Sequence, residues 1–232
     1  MKIFRFLLLA ALGLAACTAQ PTAPASVDVT PLPAFGVALP AQLNWLGAEL
    51  NACAQPTRSG VYLLPPGAAA DVQITWGTPP EEGYAAQLGA ASIAVIVHPA
   101  QPLDEIGYGQ FQAIFTGQVQ TWGGDVLPDG GPAGEAVQVW LPSAGWYEGL
   151  FGQAPRGDAW LSADPVDLVA QVAADPRAIG LIPAAWLNDQ VKPLSLTDFP
   201  AQQVTRPLVA VTATEPQGAL RDWIACLAEK TP

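Results

Sequence analysis

Apolar positions along the chain fall into alternating strand-like and helix-like stretches. Leu43, Leu46, Leu50 and Cys53 share one face at helical spacing, so residues 42–54 are predicted as a helix. A short β-branched run ahead of it, residues 27–30 (VDVT), stops at Pro31 and predicts strand, loop, helix. Strands are expected over residues 61–64 and 71–76, each closed by Pro or Gly. Residues 91–98 (ASIAVIVH) form the strongest run, continuous in apolar side chains as in a strand buried on both faces of a parallel sheet. Phe111, Ile114 and Phe115 predict a helix over 108–115 that Gly117 stops.

The second half continues in the same way. A strand over 136–141 leads through residues 142–145 (PSAG) into a predicted helix reaching Phe151, with Ser143 as its N-cap. Residues 164–174 read as an amphipathic helix with Pro165 in its first turn, followed by a strand at 178–182. Residues 188–206 are a polar, proline-marked connection, 208–212 a strand, and 217–230 a closing helix with Leu220, Trp223, Ile224 and Leu227 inward. Alternating elements of this kind imply an α/β fold with mainly parallel pairing.

Composition narrows the class. With 232 residues, 50% hydrophobic and 12% charged, the chain can bury a full core as one large domain or two small lobes. Its formal charge of -11, with no basic stripe to displace phosphate counterions, excludes nucleic acid as a partner.

The N-terminus adds a location. A basic start with Lys2 and Arg5 precedes an apolar run too short to span a bilayer, which ends at residues 14–17 (LAAC). This resembles a signal peptide closing on the lipobox of bacterial lipoproteins, and the resemblance implies cleavage before Cys17 and its lipidation. The expected protein is lipid-anchored at the extracytoplasmic face of a cell membrane, with residues 1–17 removed or modified and residues 18–26 as a solvated Pro/Ala/Thr spacer. Two cysteines remain in the body, Cys53 and Cys226, in a compartment where disulfides persist. They are expected to pair, two separate buried thiols being the alternative.

Residues 93–103 (IAVIVHPAQPL) followed by 112–122 (QAIFTGQVQTW) resemble a segment of phosphate-type periplasmic solute-binding proteins. In that family an apolar strand ending in Asn-Pro precedes a helix closing on Ile-Phe-x-Gly-x-x-x-x-Trp. His98 stands here in place of the Asn. Residues 176–183 (PRAIGLIP) resemble the family's later Ala-Ile-Gly-Tyr strand, and Arg206-Pro207-Leu208 with the final helix resembles its Tyr-Pro-Leu strand and last helix.

The resemblance implies a type II periplasmic-binding-protein-like fold, two α/β lobes joined by a hinge of two crossovers. Lobe one would comprise residues 27–92 and 200–232, and lobe two residues 93–199. It further implies phosphate or another small anionic or organic solute in the cleft, and the permease of an ABC transporter as partner. The family's lobe-one loop falls at Thr30, followed by Pro31-Leu32-Pro33, which is poor in amide donors. A second loop falls at Gly77 and Thr78. Its lobe-two motif, Arg-x-x-Gly-Ser-Gly-Thr, aligns with Ser143, Ala144, Gly145 and Trp146, of which only Ser143 and Gly145 keep its character. Anions in such loops are held by unpaired helix-entry amides.

None of Arg58, Arg156, Arg177, Arg206 or Arg221 is assigned to an anion by the sequence. Among eight Trp, Trp76, Trp122, Trp140, Trp146 and Trp160 lie at or near loop ends where rings stack on organic ligands, Trp146 being the foremost candidate. The single His98 precedes Pro99 and no catalytic or metal motif accompanies it, so an enzyme, a cofactor and a metal are not expected. Where the loops retain no ligand, the alternative is a fold-retaining interaction or sensory module.

Overall fold

The computed structural model describes residues 31–124, 133–143, 147 and 149–231. The expected strand at 27–30, the turn around Asp129 and residues 144–146 and 148 of the expected helix after Ser143 lie outside these residues, while residues 149–151 of that helix form turn and bend instead. The first described strand, β1 (Ala34–Ala38), falls where the sequence reading placed a loop. It is short and flanked by Pro33 and Pro40, so its burial leaves little local signal. The carbonyl of Pro40 accepts the Leu43 N–H at 2.9 Å and opens a 3-10 turn, Ala41–Leu46, before α1 (Gly47–Ala54). Leu43, Leu46, Leu50 and Cys53 all point inward, as their spacing predicts.

The edge strand β2 (Gly60–Leu64) pairs in parallel with β1, which pairs in parallel with β3 (Val72–Trp76). The long strand β4 (Tyr84–Val97) extends well ahead of the predicted 91–98. Three elements follow: β5 (Glu105–Gly107), α2 (Tyr108–Phe115) and β6 (Gln138–Pro142). After them come β7 (Trp160–Ser162), α3 (Pro165–Ala174) and β8 (Ala178–Pro183). Asp164 caps α3 by accepting the Val166 N–H at 2.9 Å. The stretch expected as a bare connection holds β9 (Lys192–Pro193), β10 (Ser195–Thr197) and the single-turn α4 (Ala201–Val204). β11 (Thr205–Thr212) and α5 (Gly218–Lys230) complete the chain. These elements lie in one compact unit, Leu32–Pro232.

The main sheet runs β2-β1-β3-β11-β4-β8-β6-β7. Pairing is mixed, a correction to the mainly parallel expectation: β11 is antiparallel to both β3 and β4, and β4 is antiparallel to β8 and β9. The apolar run at 93–97 reports burial on both faces and carries no information on strand direction. β4 belongs to two halves of the sheet, since Tyr84–Ser92 pair with β11 whereas Ile93–Val97 pair with β8. The chain passes from one half to the other within β4 and returns through residues 198–204 into β11.

Each half buries helices by size matching. α3 lies so close to β8 that a Cβ on Gly180 would fall 2.8 Å from Leu168 Cδ2 and 2.9 Å from Val172 Cγ2, so only glycine fits. α2 packs an aromatic cluster in which Phe111 meets Phe115, Phe151 and Phe199 with centroids 4.7–5.2 Å apart. In the first half, Trp223 of α5 donates its Nε1–H to the Leu50 carbonyl at 3.1 Å. Beside it Cys53 of α1 and Cys226 of α5 form a disulfide, Cα–Cα 5.7 Å, so the pairing expectation holds over two separate thiols.

Candidate functional site

The strands β1–β3 and β6–β8 run in opposite directions, each set toward the Ser92–Ile93 junction of β4, so their carboxyl ends face each other along one inner edge where loops carry the chain into the elements that follow. In open α/β sheets such carboxyl ends are where ligands bind, because neighbouring loops diverge and leave a crevice. Here the edge is built from Leu39 and Pro40 after β1, Gly77 after β3, Ser143 after β6, Ala163 after β7 and Ala184 after β8. β11 runs antiparallel, so it brings its first residues, Thr205 and Arg206, to this edge.

Arg206 lies at that edge, opposite Ala91 of β4. Its neighbour Pro207 accepts the Gly77 N–H at 2.9 Å, locking the turn after β3 against β11. Gly77 has φ 86°, and a Cβ there would sit 3.7 Å from Arg206 Nη1. On the opposite side, Arg206 Nη2 is 4.0 Å from the corresponding position on Gly149, also at positive φ. The guanidinium thus spans the loop after β3 and the loop after β6. Burial takes it partly out of water and lowers its pKa from the usual arginine value.

Two other arginines hold carboxylates close to them in sequence. Arg156 binds Asp158 through Nε and Nη2 at 2.6 and 2.7 Å, and Arg177 binds Asp175 at 3.0 and 2.8 Å. Arg221 is exposed on α5. The sequence offered one signal for Arg206, its place where the resembled family has Tyr before Pro-Leu, but proximity to residues 77 and 149 is not a local property.

The loop after β6 is held by α2. Tyr108 Oη donates to the Leu150 carbonyl at 3.1 Å, and Gln112 Nε2 donates to the Phe151 carbonyl at 3.0 Å. Tyr147 and Phe151 lie with ring centroids 5.8 Å apart. Together with Gly149, Ala154 and Pro155 they line a cavity of about 390 Å³. Gly149 therefore belongs both to this cavity and to the surroundings of the guanidinium.

Of the residues singled out by sequence, Gly77 meets Arg206, and Thr78 beside it is exposed. Ser143 is exposed at the end of β6, but its backbone N–H donates to the Ser162 carbonyl at 2.7 Å and extends the β6–β7 ladder. That amide is committed to the sheet. Ala144, Gly145 and Trp146 lie outside the described residues, as do Thr30 and Cys17. The first described strand, β1, starts at Ala34, and the residues after it are Leu39 and Pro40. Those side chains offer no hydroxyl, and Pro40 offers no amide.

Across the same edge the two halves are already joined by hydrogen bonds. Gln42, only 2% exposed, donates from Nε2 to the Ala163 carbonyl at 3.4 Å, and its own carbonyl accepts the Trp186 Nε1–H at 2.8 Å. Among the named tryptophans, Trp122 is core, donating to the Arg177 carbonyl at 2.9 Å. Trp140 and Trp160 stack on one another at the β7 end of the sheet, centroids 5.6 Å apart. Trp76 is buried directly before Gly77. His98 Nδ1 accepts the Ala100 N–H at 3.0 Å and closes a turn. Among the described residues no group of three or more His, Cys, Asp or Glu is placed to hold a metal ion, and no helix is long and apolar enough to cross a membrane.

A family model described as a PBP superfamily domain matches residues 83–224. The chain is similar in structure to a putative phosphate ABC transporter substrate-binding protein with bound phosphate from Clostridium perfringens, at 16% identity and TM-score 0.70, covering 84% of this chain and 92% of that one. It is similar to an ABC-type phosphate transport receptor from Vibrio cholerae at 15% identity and TM-score 0.65, covering 83% and 93%. It is also similar to a reduced form of OxyR from N. meningitidis at 15% identity and TM-score 0.60, covering 84% and 94%. No curated protein matches the sequence.

Proposed function

The chain belongs to the PBP superfamily and has a mixed α/β, type II periplasmic-binding-protein-like fold, and from that premise we propose that it is a solute-binding protein holding a small anion at the carboxyl-end edge of its sheet. In this reading residues 27–92 with 200–232 form one lobe and residues 93–199 the other, hinged at β4 and at the return into β11. Closure around ligand is then a hinge motion. The protein would deliver its solute to an ABC permease while anchored through a lipidated Cys17 at the extracytoplasmic membrane face. Its role is binding rather than catalysis.

The observation that carries the reading is Arg206, whose guanidinium lies against Gly77 on one side and Gly149 on the other. A partly desolvated cation between two glycine turns offers an anion a charged partner and close backbone approach. Relatives of this fold named for phosphate transport support an oxyanion, and the phosphate of the Clostridium perfringens protein is the first ligand to try.

A second reading rests on a specific feature. Gln42, Ala163 and Trp186 bond the halves to each other directly, and the loop after β1 presents Leu39 and Pro40 where an anion would need donors. An interaction or sensory module that keeps the fold without a ligand is consistent with this, and the likeness to OxyR shows the same fold outside transport proteins.

Thermal shift with phosphate, sulfate, molybdate and small carboxylates separates the two. A ligand that binds only the native state at a hundred times its Kd stabilises it by about 2.7 kcal/mol. A saturable shift that Arg206→Gln abolishes supports the transport-type binder. A flat panel on protein shown to be folded and ligand-free rejects it in favour of the module.

A further inference from the structure

We infer that the β2 edge of the sheet rests on the lipid surface to which the chain is anchored, its apolar side chains lying at headgroup level; this rests on the lipid anchor at Cys17 proposed above and is independent of which solute is bound. β2 is an edge strand without charge. It closes one end of the main sheet and, among the described strands, pairs only with β1, so the backbone groups on its outer side have no strand partner. Leu32, Tyr62 and Leu63 are 64%, 50% and 55% exposed there, and Pro65, Pro66 and Ala69 of the following loop are exposed as well. The Gly60 N–H donates to the Pro33 carbonyl at 2.8 Å, which places Leu32 beside the start of β2. Tyr62 and Leu63 project to opposite faces of the strand, so they rim the edge from both sides. Edge strands kept in water usually carry charged side chains. The β7 edge at the other end of the sheet does so: it exposes Trp160 and Leu161, but Asp158, Asp164 and Asp167 flank it.

The tether joins the body at this same edge. Residues 18–30 lead from Cys17 directly into Pro31 and Leu32, and they reach at most about 45 Å. They hold the β2 edge at high local concentration beside the bilayer, so a contact too weak to bind a free protein is populated. Charge selects the same surface. The chain carries 20 Asp and Glu, but between residues 31 and 70 the only charged side chains are Glu49 and Arg58, so this is the stretch that an anionic leaflet repels least. A lipid surface also accepts what the edge presents. A tyrosine ring, with its apolar body and polar tip, sits at headgroup level, where water still reaches the outer backbone groups of β2.

The full-length protein, lipidated in cells and reconstituted into phosphatidylcholine vesicles, tests this with a fluorophore attached at Leu63→Cys and, as the reference in the other half, at Asp189→Cys. Lipids carrying a shallow nitroxide are expected to quench the label at 63 several-fold more than the label at 189, and high salt should leave the difference in place because the contact is apolar. Leu32→Asp with Tyr62→Asp, both at exposed positions, should abolish the difference while the protein stays on the vesicles. Protein that floats with the vesicles but shows equal quenching at the two positions, a difference lost in high salt, or a difference unchanged by that double substitution overturns the inference and leaves the anchor standing. A label at 63 that is shielded only as the density of protein rises, without nitroxide quenching, assigns the edge to a second copy of the chain and also overturns it. Protein that does not float with the vesicles overturns the anchor and the inference together.

Discussion

Removing the Cys53–Cys226 bridge should cost this protein much of its stability, and the size of the loss follows from the topology. The two cysteines are separated by 173 positions, so the bond closes nearly the whole folded chain into one loop. In the chain-entropy account the unfolded state regains about 17 cal/mol/K when such a loop opens, equivalent to about 5 kcal/mol at 25 °C. That is comparable to the entire stability of many domains. For a chain of this length the corresponding fall in Tm is about 10–20 °C.

The perturbation is Cys53→Ala with Cys226→Ala, which avoids leaving one reactive thiol. Packing around the bridge should otherwise survive, because the Trp223 bond to Leu50 and the Phe35–Trp223 ring contact hold α1, α5 and β1 together independently. Urea unfolding followed by far-UV circular dichroism gives the loss directly, and the slope of the transition reports whether the unfolded state has expanded. The same protein reduced in denaturant should unfold like the double variant. A loss below about 1 kcal/mol with an unchanged slope would refute the reasoning, showing that the unfolded chain keeps α1 and α5 together without the bond.

Three further outcomes are expected. Gly180→Ala forces a Cβ into the Leu168 and Val172 side chains and should destabilise by about 1–3 kcal/mol, read as a lower denaturation midpoint; an unchanged midpoint would mean that α3 can move away from β8 freely. Trp186→Phe removes the donor to the Gln42 carbonyl, an expected loss of about 1 kcal/mol, together with faster amide exchange at the edge shared by the two halves; wild-type exchange there would show that the bond does not hold them. Hydrogen bonds from Arg177 to Asp175 and from Arg156 to Asp158 hold both carboxyls below the usual aspartate value. A depressed carboxylate stabilises the fold above its unfolded pKa and loses that contribution as pH falls through the folded one. Stability should therefore decline below about pH 4, less steeply in Asp175→Asn, and identical acid profiles would remove Asp175 from the account.

Much of the secondary structure was legible because burial leaves a local trace. The spacing of Phe111, Ile114 and Phe115, and of Trp223, Ile224 and Leu227, marks α2 and α5, and Pro165 behind the Asp164 cap marks the start of α3. The run from Ile93 to Val97 is apolar because both of its faces are covered. The two cysteines beyond Cys17 allowed one bridge, and the superfamily was readable in the stretch around Ile114-Phe115 and Trp122.

What the sequence could not carry is partnership. A side chain's hydrophobicity records that it is buried and says nothing about which strand lies beside it, so β4's exchange of β11 for β8 at Ser92 and Ile93, and its antiparallel direction, had no local signature. β1 escaped notice for the same reason, its few residues being buried by neighbours distant in sequence. The site depends on this most of all. Gly77, Gly149 and Arg206 come from three separate regions of the chain, and only the antiparallel entry of β11 brings this one arginine among several beside both glycines, because convergence is set by long-range pairing and not by the residues on either side.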